Sequence, residues 1–141
     1  MKEQLVEFET AKLAKEVGFN EFCYSLYQDE QCLLKDCFEY NPSLKYYNSE
    51  YKPSSDNPEW FLANACSAPP QSLLQRWLYE KHQIWVNSQP LFSKNECVGV
   101  SLSITSWKFP IVTISYAGYD VYEVLEEGLQ EALKLIKIKL N

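Results

Sequence analysis

The chain has 141 residues, 46% hydrophobic and 23% charged, which suits one compact globular domain and excludes the low-hydrophobicity, high-charge regime of disordered chains. Its net charge is −6, with 12 acidic and 6 basic side chains in residues 1–66 against 7 of each in residues 67–141. That balance opposes the Lys- and Arg-driven counterion release behind phosphate-backbone binding, so nucleic acid is a disfavoured partner.

Residues 3–17 predict a first helix. Val6, Leu13 and Val17 share a face flanked by Phe8 and Ala14, acids come early, Lys12 and Lys15 come late, and Gly18 follows as a stop. This start holds no apolar signal core, and no apolar run in the chain is long enough to cross a bilayer, so the expectation is a cytoplasmic protein with no membrane partner. Phe22-Cys-Tyr-Ser-Leu-Tyr and a short run around Cys32 suggest a hairpin across the polar Gln-Asp-Glu-Gln turn.

Residues 38–66 differ in kind. Pro42, Pro53 and Pro58 interrupt a stretch rich in Asn, Ser and rings, among them Tyr40, Tyr46, Tyr47, Tyr51, Trp60 and Phe61. So long a segment without periodicity is expected to be a functional loop or partly disordered. Its rings are large amphipathic surfaces of the kind enriched at interfaces and in pockets, and they serve equally well as a lid over a core.

A second helix is expected over residues 70–82, with Ser67 as its cap, Pro69 and Pro70 at its approach, and Leu73, Leu74, Trp77 and Leu78 as its apolar stripe. On its other side Gln71, Gln75, Tyr79 and His82 stack at helical spacing beside Arg76, which makes either a solvated face or a recognition face. Ile84-Trp-Val opens a strand. Val98, Val100, Leu102 and Ile104 then alternate with Gly99, Ser101, Ser103 and Thr105, as in a strand buried on one face. After a turn at residues 106–110, the β-branched run at 111–116 predicts another strand. Asp120-Val-Tyr-Glu123 is a capping-box variant, and Val121, Leu125, Leu129, Ala132, Leu133, Ile136 and Leu140 line one side of a long final helix. The expected whole is a single α+β domain over residues 1–141: an antiparallel sheet with helices on one face, in the order α-β-β-loop-α-β-β-β-α.

Chemical motifs are sparse. Five cysteines, Cys23, Cys32, Cys37, Cys66 and Cys97, are odd in number and irregularly spaced, which fits reduced and mostly buried thiols. They show no C-x-x-C, and His82 is the lone histidine, so no metal or cofactor is implied and no catalytic residue is assigned. His82 is most simply a helix-end residue favoured by the helix dipole; pairing it with a cysteine nucleophile gives a thiol-enzyme alternative. With four glycines and no Walker A or G-x-G-x-x-G pattern, a phosphate-cradling loop is disfavoured.

Three segments carry a resemblance: Met1-Lys-Glu-Gln-Leu-Val-Glu-Phe-Glu-Thr-Ala-Lys-Leu-Ala-Lys-Glu-Val-Gly-Phe, Ser67-Ala-Pro-Pro-Gln-Ser-Leu-Leu-Gln-Arg-Trp-Leu-Tyr-Glu-Lys-His, and Tyr122-Glu-Val-Leu-Glu-Glu-Gly-Leu-Gln-Glu-Ala-Leu-Lys-Leu-Ile. Together they resemble a widespread group of small proteins of Bacteroidetes bacteria and their phages that has no established activity. Pro70 departs from that group's more frequent Thr. The resemblance implies a phage or prophage setting and transfers no site residue. The leading expectation is therefore a non-enzymatic phage or prophage accessory protein that binds and modulates a host or viral protein. Its binding residues would come from Tyr46, Tyr47, Tyr51 and Trp60 on the loop and Gln75, Tyr79 and His82 on the helix. The first alternative is a small-ligand binder, perhaps of nucleotides, with rings stacking a base and Arg76 or Lys81 meeting phosphate. The second is the Cys-His enzyme.

Overall fold

The computed structural model describes residues 4–34, 65–106, 112–116 and 120–140. Nearly all of the Tyr-rich stretch at 38–66, and most of the turn expected at 106–110, lie outside the described residues. The class is α+β. In chain order the described elements are α1 (Phe8–Glu16), β1 (Leu26–Asp29), β2 (Cys32–Leu34), β3 (Cys66–Ser67), α2 (Gln71–His82), β4 (Ile84–Ser93), β5 (Glu96–Ser106), β6 (Val112–Tyr116) and α3 (Val121–Leu140). The strands form two antiparallel sheets, ordered β2-β1-β3 and β4-β5-β6. The chain divides into two compact units, one of Leu5–Pro69 and one of Pro70–Asn141 with Met1–Gln4.

In the Leu5–Pro69 unit, α1 begins five residues later than the charge pattern suggests. Residues before it are extended, with the Val6 amide donating to Pro69 O at 2.9 Å and the Tyr27 hydroxyl donating to Val6 O at 2.8 Å. The helix ends as expected at Gly18, whose φ of 97° suits a residue without a side chain. The Gly18 amide donates to Lys15 O and the Phe19 amide to Ala14 O, which is the Schellman arrangement, and Phe19 is fully buried beside it. The buried face is Thr10, Ala11 and Ala14, with Leu13 only half-buried. These small side chains let α1 lie close to β3, and the Lys15 ammonium donates to Ala65 O at 2.6 Å. β1 pairs with β2 across the Glu30-Gln31 turn and with β3 through Leu26↔Ser67 and Tyr27↔Cys66.

Ser67 does not cap α2. It lies buried in β3, and the N-cap is Pro70, which makes no side-chain cap bond. The helix instead starts with the Gln71 amide donating to Gln4 O at 2.8 Å and stops at Gln83, a left-handed residue with φ 55°. Strand β4 turns into β5 through Lys94 (φ 51°) and Asn95 (φ 67°), the paired positive φ of a type I′ hairpin. β6 pairs with β5 over Val100–Ile104. The core of this unit joins Ile84 and Val86 of β4, Val100, Leu102 and Ile104 of β5, Leu74 and Leu78 of α2, and Val124, Leu129, Leu133 and Ile136 of α3. Asp120 caps α3 by accepting the Glu123 amide at 2.7 Å. Gly128 marks the close crossing of α3 over the sheet, since a Cβ there would fall 2.7 Å from Val86 Cγ1 and closer still to Leu102 Cδ1. Val98, expected on the buried face, is exposed instead: a register shift after Leu91 and its position near the hairpin end take it away from the packed helices.

Candidate functional site

The helix face expected to be either solvated or a recognition surface is largely committed to internal bonds. Gln71 is 3% exposed, and its Nε2 donates to Tyr122 O at 2.9 Å and to Glu126 Oε1 at 3.0 Å, tying α2 to α3. Its Oε1 is buried without a hydrogen-bond partner. The carboxylate of Glu126 fixes that orientation, because the flipped amide would place oxygen against oxygen. One turn on, Gln75 Nε2 donates to Val86 O. The even-numbered carbonyls of β4 thus face the sheet's outer edge, and Gln75 blocks that edge against another strand. Pro90 shares this parity, the position where a missing amide costs no ladder bond.

His82 is half-buried at the end of α2, with its ring edge-on to Trp77 at 4.9 Å. Tyr79 differs from these neighbours. It is 57% exposed and meets Trp85 of β4 edge-to-face at 5.8 Å, and Trp85 is itself 42% exposed. Two large rings held in fixed geometry on a helix and a strand, with much of their surface in water, form the strongest candidate site among the described residues. Beside them the outer face of the sheet carries Asn87 and Gln89 of β4 opposite Ser103 and Ser101 of β5, all uncharged. The arrangement offers aromatic contact area bordered by neutral hydrogen-bonding groups. Arg76, the cation considered for phosphate, lies 3.9 Å from Glu80 in an exposed pair. Tyr46, Tyr47, Tyr51 and Trp60 lie outside the described residues.

Trp85 was not among the residues expected to bind. The signal was present, since it stands between two apolar residues in a strand, and if Ile84 and Val86 point inward the ring between them points out.

The cysteines differ among themselves. Burial pushes the Cys23 thiol up to about 12, partly offset by a hydrogen bond with Ser67 and reinforced by the nearby Glu21 charge. Burial likewise pushes Cys66 up to about 11, partly offset by Lys15 and Lys12. Both are therefore protonated at neutral pH, the opposite of an activated nucleophile. Cys97 is exposed, and its thiol contacts Gly99 O at 3.5 Å. Among the described residues no cluster of His, Cys, Asp and Glu could hold a metal ion, and no helix is long and apolar enough to cross a membrane.

Comparison with known proteins adds no relative. No protein-family model, curated protein or solved structure matches the chain.

Proposed function

We propose that this chain is a non-enzymatic binding protein that acts by occupying a protein partner, with the Tyr79–Trp85 pair as part of its contact surface. The observation that carries the reading is the exposure of that pair on rigid elements. Exposed aromatic rings anchored by regular structure bury large area at low entropic cost, and such residues dominate binding energy at protein interfaces. The internal engagement of Gln71 and Gln75 and the protonated state of Cys23 and Cys66 give no support to a catalytic reading of these residues. A phage or prophage setting, with a host or viral protein as the partner and action in the cytoplasm, rests on the sequence resemblance and the expectations drawn from it. The acidic half of the chain favours a basic partner.

The test is affinity capture from host lysate by the tagged chain, run beside a Tyr79→Ala/Trp85→Ala variant of unchanged circular dichroism. A stoichiometric protein retained by the parent and lost by the variant supports the reading. A partner held equally by both removes the aromatic pair from it. A bound small molecule in place of a protein shifts the assignment to ligand binding.

A further inference from the structure

We propose that Gln75 and Pro90 act together as a guard that closes the outer edge of β4 to strand addition. β4 runs for 10 residues, Ile84–Ser93, and ends its sheet on that side, since the order among the described residues is β4-β5-β6. An edge of that length presents a row of backbone donors and acceptors on which another strand can grow. In an antiparallel ladder the amide and carbonyl of one residue point to the same side, and successive residues alternate. The bond from Gln75 Nε2 to Val86 O therefore fixes the pattern: Val86, Ser88 and Pro90 turn their backbone groups outward, while Trp85, Asn87 and Gln89 turn theirs to β5.

The two residues stand at either end of this outward run. An added strand bonds to every second residue, so it would use Val86, Ser88 and Pro90 in turn. At Val86 the carbonyl is already taken by an amide carried on α2, and the side chain that delivers it stands where the strand would lie. At Pro90 there is no amide to donate. Ser88, between them, is the one rung left with both of its outward groups, and two hydrogen bonds contribute too little to offset the ordering of a strand. Charged side chains, a common deterrent on edge strands, are absent from Ile84–Ser93. Closure of the edge therefore falls to Gln75 and Pro90, and Gln75 serves its own sheet in place of a partner.

The double variant Gln75→Ala/Pro90→Thr reopens the edge without adding large apolar surface. Alanine removes the guarding amide and suits a helix, and threonine supplies the missing backbone amide and suits a strand. Sedimentation velocity on the full chain from about 1 µM to about 1 mM is expected to show the double variant associating more than the parent as concentration rises, and each single variant less than the double. Amide exchange followed by nuclear magnetic resonance locates the contact. In the parent the Ser88 amide should exchange roughly tenfold or more faster than those of Asn87 and Gln89, and in the associated double variant it should slow towards theirs, which aggregation through unfolding would not produce. A double variant that sediments as the parent does, a Ser88 amide already protected in the parent, or association that leaves Ser88 exchanging fast each overturns the proposal. None of these outcomes depends on the Tyr79–Trp85 surface.

Discussion

Cys23 and Cys66 are 1% and 3% exposed, and burial raises both thiols above the ordinary 9.0. Alkylation of the native chain at pH 8 should label Cys97 ahead of Cys23 and Cys66, which react only after unfolding; peptide mapping of these three reads the order, and early labelling of either buried thiol would contradict its placement. The same raised values set a pH dependence. The folded chain keeps these protons to a higher pH than the unfolded chain does, so their contribution to stability is intact below about pH 9 and is lost as pH rises toward 11–12. Urea midpoints should therefore fall between pH 8 and about pH 10.5, and Cys23→Ala should flatten part of that slope. Gln71 is the other informative single residue. Gln71→Ala removes two hydrogen bonds, one of them to Glu126, a carboxylate only 6% exposed. Leaving such a group short of a donor should cost about 1–3 kcal/mol, measured as a lower urea midpoint with unchanged slope.

Among the elements, α3 depends on one missing side chain. Gly128→Ala would gain about 1 kcal/mol of helix propensity. It would also push a methyl group into Leu102 and Val86, and overpacking a close-packed core costs about 1–3 kcal/mol. The steric effect wins because Val86 is β-branched and both side chains are buried, so Gly128→Ala is expected to destabilise the chain by about 1 kcal/mol. In a Leu102→Ala background the same change should cost less, and strict additivity of the two would refute the contact. The elements that the residue pattern predicts best are α2, β5 and α3, where apolar spacing continues for three turns or for a run of alternating positions. The start of α1 was misplaced because Gln4 to Glu7 are helix-compatible residues that hydrogen bonds to Pro69 and Tyr27 hold extended. β3 has no legible pattern because two residues beside prolines carry no period, and the division of strands into two sheets depends on long-range pairings such as Leu26↔Ser67, 41 residues apart. For the candidate site, spacing grouped Gln75, Tyr79 and His82 on one helix face. What separates the exposed ring from the engaged amide is the partner each one meets: Trp85 for Tyr79, the Val86 carbonyl for Gln75 and Trp77 for His82.

For the whole molecule, two forces of different range act on any partner, and they can be measured separately. The excess of negative charge lies entirely in residues 1–66. Its field acts over about 8–10 Å at ordinary salt and raises how often a basic partner encounters the chain. The Tyr79–Trp85 pair acts only at contact, where desolvation and ring packing govern how long the partner stays. With the captured partner immobilised, raising salt from about 50 mM to about 500 mM should lower the association rate several-fold and leave the dissociation rate nearly unchanged. Trp85→Ala should do the reverse, raising the dissociation rate by roughly tenfold or more with little effect on association. Salt-insensitive association would mean that the charge asymmetry serves solubility alone. A Trp85→Ala variant with the parent's dissociation rate would place the contact on another surface, because a ring at the centre of an interface cannot be removed without shortening the life of the complex.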